Sequence, residues 1–512
     1  MKNIEINRHQ KYYRFFEILP GITTWAIFIF PVWMSYHNPE ILMVLVIIYA
    51  VYWLLKALVM STRLIVGYKK YKNDAEKNWT QILDRDFRKN WEDIYHVVIV
   101  ASYKESYETL KYSFEAIASS QYPQDKIIVV LATEERAMDI GRDNAQKISQ
   151  EFGNKFHYFL HSEHPKDLPN EVVGKGPNIN YAAKKILKYI DKQGINHENV
   201  LVTTLDSDHR PHKKYFSALT YSYLSTEDRK HKSYQPIPMF FNNIWDVPIP
   251  IRSIAIGSSF WQIIESTRPY RLRNFASHAQ SLDALVETNF WSSKTIVEDG
   301  HQFWRSYFRF DGNHSVVPIN IPVYQDAVLS PHGYIKTFSE QYFQKKRWSW
   351  GCSDIPYVAT FCIKNKKIPL LEKILQFSRL YEGHISWSTT SIVLFCAGWI
   401  PFIINPQFRE SLVGFNFPYI YSRILTIAMI GMVVTLTIST LMLPPRPKKS
   451  LNWSIILEWI ITPFMLPFSN IFFSSIPAVH TQSLLLMGKY MEVFHQTEKK
   501  AVKYDKIEKD KA

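Results

Sequence analysis

The sequence predicts an α/β domain with a mostly parallel sheet, placed between two groups of membrane-length apolar segments. Three observations lead to this prediction. Between residues 71 and 383, short apolar strands alternate with amphipathic helical segments, and strands separated by helices favour a parallel sheet covered on both faces. No stretch in that region is long and apolar enough to span a bilayer. Apolar runs of that length lie before and after it.

The first 70 residues are predicted to form a transmembrane hairpin. Two apolar runs, 19–36 and 41–66, are separated by only a few polar residues, and each is about as long as a bilayer is thick. Basic residues flank the pair on both sides: Lys2, Arg8, Lys11 and Arg14 before it, and Lys69, Lys70 and Lys72 after it. By the positive-inside rule, both ends of the hairpin are expected in the cytoplasm.

Residues 71–383 are predicted to form a cytoplasmic catalytic domain, with interfacial helices near 340–375. Strands are expected at 96–102, 126–133 and 199–206, and helices at 107–120 and 178–190. In parallel sheets of this kind, ligands bind at the carboxyl ends of the strands. The third of these strands ends in the acidic run Asp206-Ser-Asp208.

The C-terminal part contains a second group of apolar runs, at 385–404, 424–443 and 455–473. A further segment, 476–491, carries His480, Gln482 and Lys489, and is a sixth span, a re-entrant helix or an interfacial helix. The basic loop 444–450 is expected in the cytoplasm. We therefore place transmembrane helices in 384–495 and a charged cytoplasmic tail in 496–512.

Charge and cysteine usage narrow the function. The formal net charge of +14 suits a cytoplasmic membrane face and also the attraction of polyanionic nucleotide sugars. The basic residues form no RNA- or DNA-binding motif, so nucleic acid is not an expected partner. The three cysteines form no C-x-x-C pair, which argues against a zinc site or a disulfide framework.

Three acidic and basic motifs follow one another along the chain. They are Asp206-Ser-Asp208, then Glu298-Asp299, then Gln344-Lys-Lys-Arg347-Trp348. Two carboxylates at the end of a buried strand can share a divalent cation that neutralises a diphosphate. Each motif also has a purely structural interpretation: a solvated acidic turn, a carboxylate at a helix N-terminus, and an interfacial helix that includes Lys345, Lys346 and Trp350.

This order of motifs resembles the family-2 glycosyltransferases of the processive membrane type, such as cellulose synthase and hyaluronan synthase. The resemblance implies a GT-A-like domain in a multi-pass protein of the cell membrane, with the catalytic domain in the cytoplasm. It also implies inverting transfer of a sugar from a nucleotide-diphosphate sugar, expected to be a UDP sugar, to a growing polysaccharide that passes through the protein's own helices. The implied partners are the donor, a glycan or lipid-linked acceptor, and membrane lipids.

The resemblance also implies roles for the motif residues. Asp206 and Asp208 would hold Mg²⁺ or Mn²⁺, and Asp206 would also contact the donor. Asp299 would act as the general base, with Glu298 beside it, although Val297 stands where the family has Thr. In the third motif, Arg347 would bind the diphosphate, while Gln344 and Trp348 would bind the acceptor.

Further donor and acceptor contacts rest on weaker patterns. Ser102, Tyr103 and Glu105 follow the first strand, where the family holds the nucleobase and ribose. Glu134 or Glu135 takes the place of the family's aspartate. Lys175 would reach the diphosphate or is simply an exposed loop residue. Gly257 and Ser258 either belong to a small-residue loop beneath the acceptor or form a tight turn. The segment 235–253 is an interface segment or an acceptor-binding strand pair.

Two other functions remain compatible with these patterns. One is a non-processive transferase that adds a single sugar to a lipid carrier or short glycan. The other is an inactive membrane scaffold or transporter that has a transferase-like domain. The carboxylates at 206, 208 and 299 argue against the scaffold, because binding a partner does not require them.

Overall fold

The computed structural model describes residues 4–445, 452–497 and 499. Its centre is one mixed sheet of eight strands, in the spatial order β3-β2-β1-β4-β7-β6-β8-β5. All strands run in one direction except β5 and β7, which are antiparallel to their neighbours. The strands are β1 (Tyr95–Ala101), β2 (Ile127–Glu134), β3 (Tyr158–His164), β4 (Val200–Asp206), β5 (Arg210–Pro211), β6 (Lys232–Met239), β7 (Ala279–Ser281) and β8 (Ser315–Tyr324).

Helices surround the sheet and extend beyond it at both ends of the chain. They are α1 (Tyr13–His37), α2 (Pro39–Glu76), α3 (Trp79–Phe87), α4 (Tyr107–Ala118), α5 (Met138–Phe152), α6 (Lys175–Gln193), α7 (Tyr215–Ser225), α8 (Ile249–Ser266), α9 (Leu282–Glu287), α10 (Glu298–Arg309), α11 (Tyr334–Ser349), α12 (Asp354–Lys364), α13 (Leu370–Ile392), α14 (Ile400–Ile404), α15 (Leu412–Met442), α16 (Asn452–Asn470) and α17 (Ile476–Leu486). Short π-helical turns, Val393–Ala397 and Ile471–Ser475, follow α13 and α16.

The central strands are apolar on both faces because helices cover both sides of the sheet. Successive residues of a strand point to opposite faces. Val98 of β1 therefore joins a core with Phe114 of α4, while Val97 joins a second core with Ile186 of α6. All of these side chains are buried. The prediction that helices cover both faces of the sheet in an α/β domain is confirmed.

The parallel strands bring their carboxyl ends to one edge of the sheet. The end of β2 aligns with β1, and Asp206 of β4 pairs with Ala101 of β1. Beyond β7, strands β6 and β8 run in the same direction and end at Met239 and Tyr324. Residues that follow these strands are therefore gathered at a common edge, which is where a ligand is expected.

Three helices in the described part of the chain are long and apolar enough to cross a membrane: α1, α2 and α15. They agree with the predicted hairpin and with the predicted run 424–443. Helix α2 extends beyond the predicted apolar run 41–66 and continues as one helix to Glu76. The runs 385–404 and 455–473 are also largely helical, in α13, α14 and α16, and remain predicted spans. Residues 446–451 of the predicted cytoplasmic loop lie outside the described residues.

Two interpretations of the sequence are wrong. Gly257 and Ser258 lie inside α8, so they form neither a loop nor a tight turn. Gly257 is exposed there, and the Ser258 hydroxyl accepts a hydrogen bond from Lys345 Nζ at 2.9 Å. The segment 235–253 is not a strand pair, because it contains the end of β6, a turn and the start of α8; its role as an interface segment stays a prediction.

Candidate active site

The acidic motif lies where β4 ends at the carboxyl edge of the sheet. One ligand atom from each of Asp206, Asp208 and His209 lies within 4.8 Å of the other two. The Asp206 backbone N–H donates to His209 Nδ1 at 3.1 Å, so Nδ1 is an acceptor and the proton of the neutral ring is on Nε2. That nitrogen lies 3.3 Å from Asp206 Oδ2. In this tautomer His209 supports Asp206, and the two carboxylates supply the oxygen ligands that suit Mg²⁺ or Mn²⁺.

Lys175 links the first acidic motif to the second. It begins α6, and its Nζ lies 2.6 Å from Asp206 Oδ1 and 3.6 Å from Glu298 Oε1. Burial by itself would lower the pKa of this ammonium, but Asp206, Glu298 and Asp299 outweigh burial and raise it. The interpretation of Lys175 as an exposed loop residue is therefore wrong: it is a buried cation held among three carboxylates.

Gly176 allows α6 to approach the second motif this closely. A Cβ at this position would lie 2.7 Å from the Ser292 carbonyl oxygen and 3.1 Å from Glu298 Cβ. Asn180, one turn further along, donates to the carbonyl oxygen of Trp291. The segment that leads into Glu298 is thus fixed against α6 by close packing and a buried hydrogen bond.

Glu298 and Asp299 form the first turn of α10, as one interpretation of the sequence proposed. Asp299 Oδ1 accepts a hydrogen bond from the Gly300 N–H at 2.8 Å. Burial raises the pKa of both carboxyls, that of Glu298 to about 7, against the opposing effect of Lys175. A carboxylate with a raised pKa is a stronger proton acceptor, which is the property a general base requires.

The third motif is on α11, and its guanidinium faces the carboxylates. Arg347 lies over the ring of Phe494, with Cζ 3.8 Å from the ring centroid, and its Nε is buried without a hydrogen-bond partner. Burial lowers the pKa of Arg347, while Asp206, Glu298, Asp299 and Asp208 oppose this effect. The donors of this guanidinium are therefore available to an anion, such as a diphosphate, bound between the motifs.

One face of α11 is buried, while its first turn, with Tyr334 and Ile335, is exposed. Gln344 is buried and accepts from Gln341 at 3.2 Å, while Trp348 packs on Phe240 with ring centroids 5.7 Å apart. Lys345 is buried, and its Nζ lies 2.9 Å from Ser258 Oγ and 4.3 Å from the centroid of the Trp348 ring. An interfacial position is therefore wrong for Lys345, and also for Trp350, which is buried.

The predicted nucleobase residues lie together at the ends of β1 and β2. Glu105 Oε2 accepts from Ser102 Oγ at 3.0 Å and from the Tyr103 backbone N–H at 2.6 Å, so it fixes the turn after β1. Glu134 ends β2 and forms an ion pair with Arg136 at 3.2 Å. Burial raises the pKa of Glu134, and the nearby Glu105 contributes to that rise. The fit of a particular base to this site remains a prediction.

Three charged residues of the site were not found from the sequence: Asp326, Arg210 and Lys499. Asp326 follows β8, and its backbone N–H donates to Asp208 Oδ2 at 2.9 Å. Lys499 Nζ lies 2.7 Å from the same oxygen. Arg210 Nη2 lies 3.7 Å from Asp326 Oδ1. Of these three residues, only Arg210 has a local signal in the sequence, because it directly follows the run D-S-D-H. No local pattern points to Asp326 or Lys499.

No protein-family model and no curated protein matches the sequence. Among solved structures, the chain is similar to a mannosyltransferase from Pyrobaculum calidifontis in complex with GDP-Man and Mn²⁺, with 13% identity, a TM-score of 0.40 and coverage of 84% of this chain and 100% of that one. It is also similar to S. aureus TarS residues 1–349 in complex with UDP-GlcNAc, with 14% identity, a TM-score of 0.35 and coverage of 78% and 93%. TM-scores below 0.5 do not establish a shared fold, so the function is argued from the residues of this chain.

Proposed function

We propose that the chain is a membrane-bound, metal-dependent inverting glycosyltransferase that moves a sugar from a nucleotide-diphosphate sugar to a growing polysaccharide. The observation that carries this proposal is the grouping of Asp206, Lys175, Glu298 and Arg347 around one space at the carboxyl edge of the sheet. Cations and carboxylates are both needed there, because a diphosphate must be bound while an acceptor hydroxyl loses a proton.

The residues divide this work between the two ends of the reacting bond. Lys175 and Arg347 would bind the diphosphate oxygens, on which negative charge grows as the bond to the anomeric carbon breaks. Asp299 would accept the proton of the acceptor hydroxyl while its oxygen forms the new bond to that carbon. The electron pair of the broken bond leaves with the nucleoside diphosphate. A divalent cation held by Asp206 and Asp208 would supply further neutralisation of the diphosphate charge.

Buried apolar and aromatic surroundings support this assignment. Trp348 supplies an indole at the end of the third motif, and aromatic faces stack on sugar rings. The apolar helices α1, α2 and α15 are compatible with a membrane location, which a polymer-exporting enzyme requires. Extension of a polymer is our leading proposal, and addition of a single sugar is the alternative that the same site permits.

The test is to incubate the purified protein with labelled nucleotide sugars, beginning with UDP sugars, and to size the product. A product with a broad length distribution that disappears in excess EDTA supports the proposal. A product with one added sugar under excess donor supports the single-transfer alternative. Full turnover in EDTA contradicts the metal requirement. Transfer from none of the donors, by protein that is folded and in the membrane, contradicts the proposal as a whole.

A further inference from the structure

Asp326 is a buried carboxylate that the reaction outlined above does not use. Its side chain is 1% exposed, and neither carboxylate oxygen accepts a hydrogen bond of normal geometry from a described residue. The backbone N–H of the same residue donates to Asp208 Oδ2 at 2.9 Å, so the residue lies directly beside the acidic motif. Buried carboxylates are normally hydrogen-bonded or paired, and an orphaned one is expected to face a cation.

The charges around Asp326 agree with that expectation. Two cationic side chains, Arg210 and Lys499, lie near the pair of carboxylates formed by Asp326 and Asp208. Arg210 is 3.7 Å away, beyond the distance of a close ion pair. Two buried carboxylates side by side repel each other unless a cation lies between them. In this structure the nearest such cation is the Lys499 ammonium, 2.7 Å from Asp208 Oδ2.

We propose that Asp326 is a third carboxylate of the cation site, which shares a divalent cation with Asp208, and that the Lys499 ammonium takes the place of this cation in the structure. The inference rests on the proposed function, because it assigns a further residue to the same metal site. Neither Asp326 Oδ1 nor Oδ2 accepts a hydrogen bond of normal geometry from a described residue, although the Asn242 amide lies near the carboxylate, so both oxygens are available as ligands.

A simpler role for Asp326 predicts the opposite result. If Asp326 only anchored Lys499, its removal would loosen a competitor of the metal, and the metal would bind as well as before or better. If Asp326 is a ligand, its removal weakens metal binding even when Lys499 is absent. The two roles are therefore separated by a double substitution.

The experiment measures Mn²⁺ binding by electron paramagnetic resonance, in the presence of UDP, for the full chain in detergent. The Lys499→Ala variant should bind Mn²⁺ more tightly than the parent, because a competing cation is lost. Adding Asp326→Asn to that variant should weaken Mn²⁺ binding by about tenfold or more. Adding Asp326→Glu should restore part of the loss, because it keeps the charge. The matched control is Glu265→Gln in the same background, which changes a buried carboxylate that pairs with Arg268 away from the site.

The outcomes separate this inference from the proposed function. Equal Mn²⁺ affinity of Lys499→Ala with and without Asp326→Asn overturns the assignment of Asp326. Equal losses with Asn and Glu also overturn it, because they indicate a structural role. No gain in affinity on Lys499→Ala overturns the role given to Lys499. Failure of the parent and of Lys499→Ala to bind Mn²⁺ at all contradicts the metal-dependent function itself.

Discussion

At the scale of single residues, Lys175 determines how the carboxylates of the site are balanced. Its ammonium contacts Asp206 closely and Glu298 at a longer distance. Burial by itself would raise the pKa of Asp206, but Lys175 and His209 outweigh burial and hold it well below its usual range. Asp206 therefore stays ionised and available to a metal, while Glu298 and Asp299 keep raised pKa values. One lysine thus helps to give neighbouring carboxylates different chemical roles.

The role of Asp299 leads to the first prediction. Asp299→Asn keeps the size of the side chain and removes its capacity to accept a proton, so turnover should fall by about a hundredfold or more. Donor affinity should change little, because Lys175 and Arg347 are intact. Steady-state kinetics together with nucleotide-binding measurements check this. A collapse of donor affinity with normal turnover at saturation would show that Asp299 binds the donor instead.

Lys345 leads to a prediction about stability. Burial lowers the pKa of Lys345 to about 7, below the ordinary lysine value of 10.5. Between pH 7 and pH 10.5 the unfolded chain therefore binds more protons at this position than the folded chain does. The contribution of Lys345 to stability is complete above pH 10.5 and is lost as the pH falls towards 7. Lys345→Met should remove this pH dependence and should raise Tm at pH 7 relative to the parent.

Thermal unfolding in detergent at pH 7 and at pH 9.5 checks this, with the more exposed neighbour Lys346→Met as the control. The difference in Tm between Lys345→Met and the parent should be large at pH 7 and should shrink at pH 9.5. A difference that is the same at both pH values would mean that Lys345 keeps its charge in the fold.

At the scale of elements, the sequence predicted the strands that carry continuous apolar runs. The predicted strands 96–102, 126–133 and 199–206 match β1, β2 and β4 to within one residue, because these strands are buried on both faces. Strands β6 and β8 were not predicted as such. Their sequences, KSYQPIPM and SVVPINIPVY, contain proline, which argues against an interior strand.

The same comparison explains which site residues were predicted. Asp206, Glu298 and Arg347 belong to motifs that can be seen locally, and the structure brings them together. Asp326 follows a strand that was not predicted, so no sequence pattern indicated that it lies beside Asp208. Lys499 belongs to a run predicted as a charged tail, and its contact with Asp208 depends on tertiary structure that no local pattern reveals.

Helix α10 is held by a buried arginine, and this gives a prediction for the element. Arg305 donates through Nη1 to Glu5 Oε1 and through Nη2 to the Thr288 carbonyl oxygen, both at 2.6 Å. A lysine has one ammonium and cannot make both bonds in this forked geometry. Arg305→Lys should cost about 2 kcal/mol for the lost buried hydrogen bond, which corresponds to a fall in Tm of about 2 °C for a chain of this length.

Turnover of Arg305→Lys should also fall, because the segment before Glu298 loses an anchor, whereas nucleotide affinity should remain. The control is Arg309→Lys on the same helix. Among the described residues, the Arg309 side chain has one ion pair, with Glu287 at 3.5 Å. Equal Tm values for the two variants would contradict the role of the Glu5–Arg305 contact.

At the scale of the whole molecule, the structure places two predicted external segments next to each other. Asn38 separates α1 from α2, and Asn405 Nδ2 donates to the Ser35 carbonyl oxygen at 3.3 Å. The hairpin turn and the segment after α14 are therefore in contact, and we predict that they lie on the same side of the membrane. The sequence predicts that this side is external.

Labelling of single cysteines tests this topology after Cys352, Cys362 and Cys396 are replaced. Cysteines at Asn38 and Gln407, both exposed, should react with an impermeant reagent added to intact cells. A cysteine at Lys448, which lies outside the described residues, should not react, and neither should the control at Lys192. External labelling at Lys448 would contradict the predicted number of spans.

The continuity of α2 has a consequence for the geometry of the enzyme. The helix has 38 residues, a length of about 57 Å, and near its C-terminal end Asp74 accepts a hydrogen bond from Asn320 of β8 at 2.9 Å. If α2 crosses the membrane as the sequence predicts, its rotational phase therefore influences the direction in which the carboxyl edge of the sheet faces the bilayer. One residue inserted before Asp74 would turn the sheet by about 100° relative to the membrane, whereas seven inserted residues, almost two full turns, would lift it by about 10 Å with little rotation. Insertions of different length in α2 would thus change two quantities separately: the rotation of the sheet relative to the membrane, and the distance of the sheet from the membrane.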